Sequence, residues 1–242
     1  MLASDQFLAI FSELEQWLRK SVQANKATSF YQLVERSAQT NSIVRRYKDP
    51  LKEYADLRNA IVHERTDGHV IAEPNARALA EFRRIREALL KPQKVFPKFQ
   101  CAVKCRGIHE PIGVAVQDMR AGSFSQLPIR QEGKVTDLLT SETVVRWLAS
   151  ELENEIVSLS DSPISSVLKH VEDADHYCFL SRDASLHDAV SKFEDFASRG
   201  KDLDAILITH GGKPEHELLG ILTVYDLPVI LETLGLRGIA AA

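Results

Sequence analysis

The feature that most constrains this chain is a duplication in its second part. From Cys101 the sequence runs through a short apolar segment, Cys101-Ala102-Val103, and a helical pattern from Glu110 to Met119. Two further apolar segments follow, Leu127-Pro128-Ile129 and Thr136 to Leu139, then a second helical pattern from Ser141 to Leu152. The same order recurs from Tyr177: Tyr177-Cys178-Phe179, Ser185 to Phe196, Ala205 to Ile208, Leu218 to Leu222, and Val224 to Leu234. Short apolar runs alternating with amphipathic stretches predict strands and helices, so the order reads β-α-β-β-α twice. Ile112 of the first copy corresponds to Leu186 of the second, and Thr140 to Thr223. The second copy is the longer between these points. Its extra residues fall in polar insertions, Ala197 to Leu203 and His210 to Glu217, where loops absorb length at small entropic cost.

The first part has a different grammar. Phe7, Ile10, Phe11, Leu14, Trp17 and Leu18 recur at helical spacing and predict one helix from about Ser4 to Ala27. Thr28 or Ser29 offers an N-cap for a second helix carrying Phe30, Leu33 and Val34. Residues 41–48 read as a turn of helix or a loop. Asp49-Pro50 opens a third helix through about Glu64, closed by Thr66-Asp67-Gly68. Glu73-Pro74-Asn75 opens a fourth, with Leu79, Phe82, Ile85 and Leu89 as its stripe and Lys91-Pro92 as its stop. Short loops between four helices predict an antiparallel bundle. The expected fold class is α+β: a four-helix bundle over 1–92, then repeats over 93–155 and 156–242.

Charge divides at the same place. The 242 residues carry a net charge of −4, made of +3 through Pro92 and −7 beyond it. Two parts with different partners would carry such a split. No run approaches the ~18 apolar residues of a membrane span, and the start lacks a basic stretch leading into an apolar one. The expected location is cytoplasmic, with Cys101, Cys105 and Cys178 as thiols. Cys101, Cys105 and His109 lack a fourth zinc ligand nearby, and no metal is expected. The basic residues Arg77, Arg83, Arg84 and Arg86 read as a solvated helix face.

The second copy ends in Gly220-Ile221-Leu222-Thr223-Val224-Tyr225-Asp226. This matches the pattern Gly-apolar-x-Ser/Thr-x-x-Asp, and the copy resembles a CBS domain. The first copy resembles the same family, so the pair is similar to a Bateman module. That resemblance implies a single folded unit with adenosine ligands (AMP, ADP or ATP) in clefts between the copies. It makes Gly220, Leu222, Thr223 and Asp226 candidate ligand residues, with Thr140 and Thr143 as their counterparts. A threonine hydroxyl at a helix start sits where free N–H groups favour phosphate. A carboxylate one turn on can accept bonds from both ribose hydroxyls. Thr-x-x-Asp also serves as a capping box, which a helix needs for its own sake. The first copy departs from the pattern, with Asp137 for the glycine and Thr143 for the aspartate. Its cleft is expected to be empty, weaker or selective for another ligand. Arg146, one turn past Thr143, reads as a solvated cation within reach of a phosphate.

The third helix contains Arg58-Asn59-x-x-x-His63. Leu51, Tyr54, Ala55, Leu57, Ile61 and Val62 form one apolar arc. Arg58 falls near its middle, where a guanidinium must be paired or face a cleft or a second subunit. Asp56, Asn59 and His63 share the neighbouring face. The motif resembles the Arg-polar-x…-His motif of HEPN domains, small helical bundles that are commonly dimeric. Many are metal-independent endoribonucleases, and others serve only binding or dimerisation. RNA carries its own nucleophile, the 2′-hydroxyl, so no cofactor is required. His63 suits proton transfer, Arg58 suits a developing phosphorane charge, and Asn59 can orient either. Arg58 and His63 lie about 140° apart around the helix axis, so a composite site in a homodimer fits them better. The expected function is an adenine-nucleotide sensor controlling such an effector. The rival is a non-catalytic signalling protein whose bundle dimerises or docks a partner.

Overall fold

The computed structural model describes residues 2–63, 65–66, 69–70, 72–152 and 158–236, without the side chains of residues 63, 65, 66, 69 and 70. The chain divides into two compact units, Met1–Gln93 and Lys94–Ala242. It mixes helices with small sheets, and among the described residues no helix is long and apolar enough to cross a membrane.

The first unit holds helices α1 (Ala3–Ser21), α2 (Phe30–Ala38), α3 (Ser42–Arg46), α4 (Lys48–His63) and α5 (Ala76–Leu90). Strands β1 (Arg65–Thr66) and β2 (His69–Val70) pair antiparallel between α4 and α5. The expected helix stop at Asp67-Gly68 lies outside the described residues. Helix α1 is shorter than its apolar pattern suggested. Gln23 takes a left-handed φ of 51°, and the Arg19 guanidinium donates to the carbonyls of Asn25 and Thr28, so the chain turns away. Ser29 caps α2 reciprocally with Gln32. The Asn75 side chain accepts from Ala78 N at 2.8 Å to start α5. Residues 42–46 form a helix of their own because Asn41 Oδ1 accepts from Val44 N at 2.9 Å, which satisfies an N–H that the helix start leaves open. At the start of α1, both the backbone N–H and the hydroxyl of Ser4 donate to the Glu73 carboxylate. Phe7, Leu14, Leu33, Leu51 and Phe82 are fully buried in the core of this unit.

The second unit contains β3 (Arg106–Gly107), α6 (Ile112–Gly122), β4 (Gln126–Gln131), β5 (Lys134–Thr140) and α7 (Ser141–Glu151). After a short helix α8 (Ile164–Val167) come β6 (Tyr177–Ser181), α9 (Leu186–Ser198), β7 (Ala205–Thr209), β8 (Leu218–Leu222) and α10 (Leu227–Thr233). The two sheets have the same plan. In order β3-β4-β5 and β6-β7-β8, the first pair is parallel and the second antiparallel. Val135 and Leu138 of one sheet share a core with Ala205 and Leu207 of the other, so the sheets pack on each other.

The segments that lead into each repeat are exchanged. Val95 is fully buried in the core of the second repeat, and its N–H donates to Ala184 O. Ile164 and Val167 of α8 are buried in the core of the first repeat, and Ile164 N donates to Glu110 O. The boundary expected at 155/156 lies outside the described residues. The exchange also explains why Cys101-Ala102-Val103 is not a strand of the first sheet. Cys101 N donates to Leu219 O at 3.1 Å, beside β8, and the chain enters its own sheet only at Arg106.

The crossing segment is held on the first repeat by charge. The carboxylate of Asp118 on α6 is buried and accepts from Lys104 Nζ and Arg106 Nε. The Arg106 guanidinium beside it holds the Asp118 carboxyl below its usual value of 3.8, with Lys104 adding to the effect. A carboxyl with a lowered folded-state pKa stabilises the fold above the unfolded value, and that stability disappears as pH falls through the folded value. Asp118→Asn is expected to cost about 1–2 kcal/mol at pH 7. The gap from the parent should close as urea unfolding is repeated below about pH 4. A gap that persisted there would assign the loss to packing.

Candidate functional site

Two clefts open in the second unit. The smaller has a volume of about 390 Å³ and is lined by Val103, Lys104, Ser125, Gln126, Thr223 and Asp226, among others. The sequence folds locally to place them there. The exchanged segment brings Val103 and Lys104, the approach to β4 brings Ser125 and Gln126, and the turn after β8 brings Thr223 and Asp226. That turn is tight. Asp226 Oδ2 accepts from Thr223 N at 2.8 Å and from Thr223 Oγ1 at 3.2 Å, and Asp226 N donates to Thr223 O. Half of the expected capping box is therefore formed, the Asp226 carboxylate reaching back to Thr223 N while Asp226 N meets the Thr223 carbonyl and not its hydroxyl, and both side-chain bonds use one carboxylate oxygen. A three-residue 3-10 turn, Val224–Asp226, precedes α10, so the helix expected to begin at Val224 begins at Leu227. Two N–H groups of this turn are used within the turn itself. The cation lining this cleft is Lys104, which also pairs with Asp118 and which the motif could not indicate.

Gly220 and Leu222 stand apart from the cleft lining. Leu222 is fully buried in the core of the second repeat. A Cβ on Gly220 would collide with the Phe99 carbonyl oxygen, so the glycine admits the exchanged segment. Its counterpart Asp137 is half-buried, and burial raises its carboxyl above the usual range against an opposing pull from His176.

The larger cleft, of about 850 Å³, holds the counterparts Thr140 and Thr143. Both threonines are buried, their hydroxyls lie 2.9 Å apart, and Thr143 N donates to Thr140 Oγ1. The position that carries a carboxylate in the smaller cleft carries here a hydroxyl already bonded to its neighbour. Arg146 is not a bare cation. It pairs with Glu142 at 2.8 Å and with Glu172. Tyr225 is 82% exposed and lines both clefts. It offers an aromatic face to either.

In the helical unit, Arg58 and Asn59 come together. Arg58 Nη1 donates to Asn59 Oδ1 at 3.3 Å, and the guanidinium lies 5.9 Å from the centre of the Phe11 ring. Arg58 is half-buried and Asn59 exposed. Asp56, on the same face in the sequence reading, accepts from the Tyr31 hydroxyl. His63 ends α4, but its side chain lies outside the described residues. No group of three or more His, Cys, Asp or Glu side chains suited to a metal occurs among the described residues.

No protein-family model matches the sequence, and no curated protein does. Solved structures do show similarity. A conserved CBS domain protein of unknown function from Thermoplasma acidophilum is 14% identical, covering 60% of this chain and 75% of that one, with a TM-score of 0.42. A CBS domain-containing protein of unknown function from Kribbella flavida is 15% identical over 55% of this chain and 95% of its own, with a TM-score of 0.41. An uncharacterized conserved protein from Pyrococcus horikoshii is 16% identical over 59% of this chain and 54% of its own, with a TM-score of 0.42. At these identities and scores the similarities assign no family. The duplicated β-α-β-β-α plan rests on this chain's own strand order.

Proposed function

We propose that this chain is an adenine-nucleotide-responsive regulator of the CBS type, with its nucleotide in the smaller cleft. The observation that carries the reading is the Thr223–Asp226 pair facing a cleft that also holds Lys104. Asp226 would accept from the ribose hydroxyls through the oxygen not used in the cap, and Lys104 would meet the phosphate while exchanging part of its pairing with Asp118. Tyr225 would stack on the base. The cleft's volume lies within the range of small-molecule sites. Thr140 and Thr143, on this reading, belong to a cleft with a different ligand.

The test is thermal unfolding with AMP, ADP and ATP. At 100 times Kd a ligand adds about 2.7 kcal/mol to stability. Asp226→Ala should weaken binding about tenfold or more, since bonds to a charged acceptor contribute ~1.5–3 kcal/mol. No stabilisation by any of the three, or equal stabilisation of Asp226→Ala, would remove the proposal.

The same proposal assigns the helical unit an effector role, as a HEPN-like, metal-independent endoribonuclease acting in a cytoplasmic homodimer on RNA. Arg58, Asn59 and His63 would supply the chemistry of 2′-hydroxyl attack. A second reading has its own observation: Arg58 is already engaged with Asn59 and packed near Phe11, as an interface or packing residue would be. RNA cleavage by the parent, Arg58→Ala and His63→Ala separates the two. Activity lost in both variants supports the nuclease, and equal activity in all three supports a docking or dimerisation role. Control by nucleotide further requires that the ligand bind two states of the protein with different affinity.

A further inference from the structure

We propose that Asp118 is a built-in competitor for ligand phosphate at the smaller cleft: by holding Lys104, it lowers the chain's affinity for phosphate-bearing ligands. The inference rests on the nucleotide reading of that cleft and names what sets its affinity. Lys104 is the cation of the cleft lining, and Asp118 lies behind it on α6, outside that lining. Lys104 and Arg106 leave the crossing segment two residues apart, and both reach the same carboxylate. Asp118 Oδ1 accepts from Lys104 Nζ, and Oδ2 accepts from Arg106 Nε.

The two cations are held unequally. The Arg106 side chain is 25% exposed and pairs with Glu110 at 3.0 Å as well as with Asp118. Glu110 is fixed in turn by the N–H of Gly107. The Lys104 side chain is 50% exposed, and its one ion pair among the described residues is with Asp118. A buried carboxylate stripped of every partner is costly. Asp118 escapes that cost when Lys104 turns away, because Arg106 stays on its other oxygen. Lys104 is therefore the exchangeable arm of this network. A phosphate entering the cleft must draw the ammonium off Asp118, or share it and meet the repulsion of the carboxylate; either weakens its binding. Adenosine, which has no phosphate, does neither. The repeat plan itself asks for no carboxylate here. The second copy has Lys192 at the equivalent position, as far past Leu186 as Asp118 is past Ile112. Asp118 thus acts on the ligand through Lys104, as a positioning residue.

The experiment is calorimetric titration of the full chain and of Asp118→Asn with AMP, and separately with adenosine. Asp118→Asn is expected to bind AMP about threefold to tenfold more tightly than the parent, although it is the less stable protein. It should bind adenosine within about twofold of the parent. A role confined to holding the fold would weaken both ligands or move neither. Lys104→Ala should weaken AMP about tenfold or more. In that background, adding Asp118→Asn should change AMP binding by less than about twofold, since the competition has lost its object. Glu132→Gln removes an exposed carboxylate beyond the far end of β4 from Gln126 and should leave AMP within about twofold. If Asp118→Asn fails to fold by circular dichroism, Asp118→Ser takes its place with the same expectations. AMP binding no tighter in the Asp118 variant than in the parent overturns the proposal. So does a gain that adenosine shares, that survives the loss of Lys104, or that Glu132→Gln equals. The two readings fail separately. AMP binding by the parent that Asp118→Asn leaves unchanged removes this inference alone, whereas no AMP binding by either protein removes the nucleotide reading and this inference with it.

Discussion

Truncating Phe82 to alanine should destabilise the helical unit by about 3–5 kcal/mol. Phe82 is fully buried, and its ring centre lies 4.8 Å from that of Phe7 and 4.4 Å from that of Tyr54. The rings of α1, α4 and α5 therefore meet at this one side chain, with the Phe11 ring at 6.4 Å. Removing the ring leaves a void that neighbours on three helices can fill only partly, so a cavity cost adds to the lost transfer energy. Burial is tight enough to push the Tyr54 phenol up to about 12. Phe82→Leu keeps most of the volume and should cost less than about 1.5 kcal/mol. Urea unfolding followed by far-ultraviolet circular dichroism measures both. An alanine variant within about 1 kcal/mol of the parent would mean that this cluster is not what holds α1, α4 and α5 together. The candidate site has a stake in the result, because Arg58 rests near Phe11 in the same aromatic group.

That cluster was legible because helical periodicity is a local property. Leu79, Phe82, Ile85 and Leu89 were marked by spacing alone, and all four are buried on α5. Thr28 and Ser29 were both marked by chemistry, as hydroxyls before an apolar run, and Ser29 is the one that caps α2. The bounds of β8 follow its apolar run because polar loop and turn residues flank it on both sides. In the repeats the order of segments was enough to predict two sheets of one plan, since each strand is short and each crossover holds one helix.

What the sequence could not convey was which repeat each leading segment would join. Val95 and Ala184 stand at opposite ends of the duplicated half's first copy and linker, and nothing in either residue type announces their bond. The same holds for His176 and Asp204, whose pairing depends on β6 and β7 lying parallel in register. Lys104 was invisible for a related reason. It follows directly on a stretch read as strand, and it reaches the smaller cleft because that stretch is exchanged. Arg58 was legible in one respect: a guanidinium on an apolar arc must find partners, and it finds Asn59 and an aromatic ring. The motif at 220–226 was legible as a pattern but divides in two when folded. Its Thr and Asp face a cleft, while its Gly and Leu face packed protein.

Gly220 tests that division. Gly220→Ala should cost about 3 kcal/mol, at the upper end for overpacking, because the added methyl meets the Phe99 carbonyl oxygen. The obstacle is backbone, so no side-chain rotation relieves it. The strand must bend or the segment over it must move. In thermal unfolding this corresponds to a loss of about 6–12 °C for a domain of this size. Gly133→Ala is the appropriate comparison. Gly133 has a φ of 80° with nothing near its missing Cβ. Alanine there brings only conformational strain, about 1 kcal/mol. Displacing Phe99 also moves the chain that carries Val103 and Lys104 to the smaller cleft, so Gly220→Ala should weaken AMP as well as the fold. Asp226→Ala should weaken AMP while changing stability by no more than its capping bonds, about 1 kcal/mol. If Gly220→Ala kept the parent's melting temperature yet lost AMP, the glycine would be a ligand contact after all, because only a bound molecule, and not Phe99, would then require the open space.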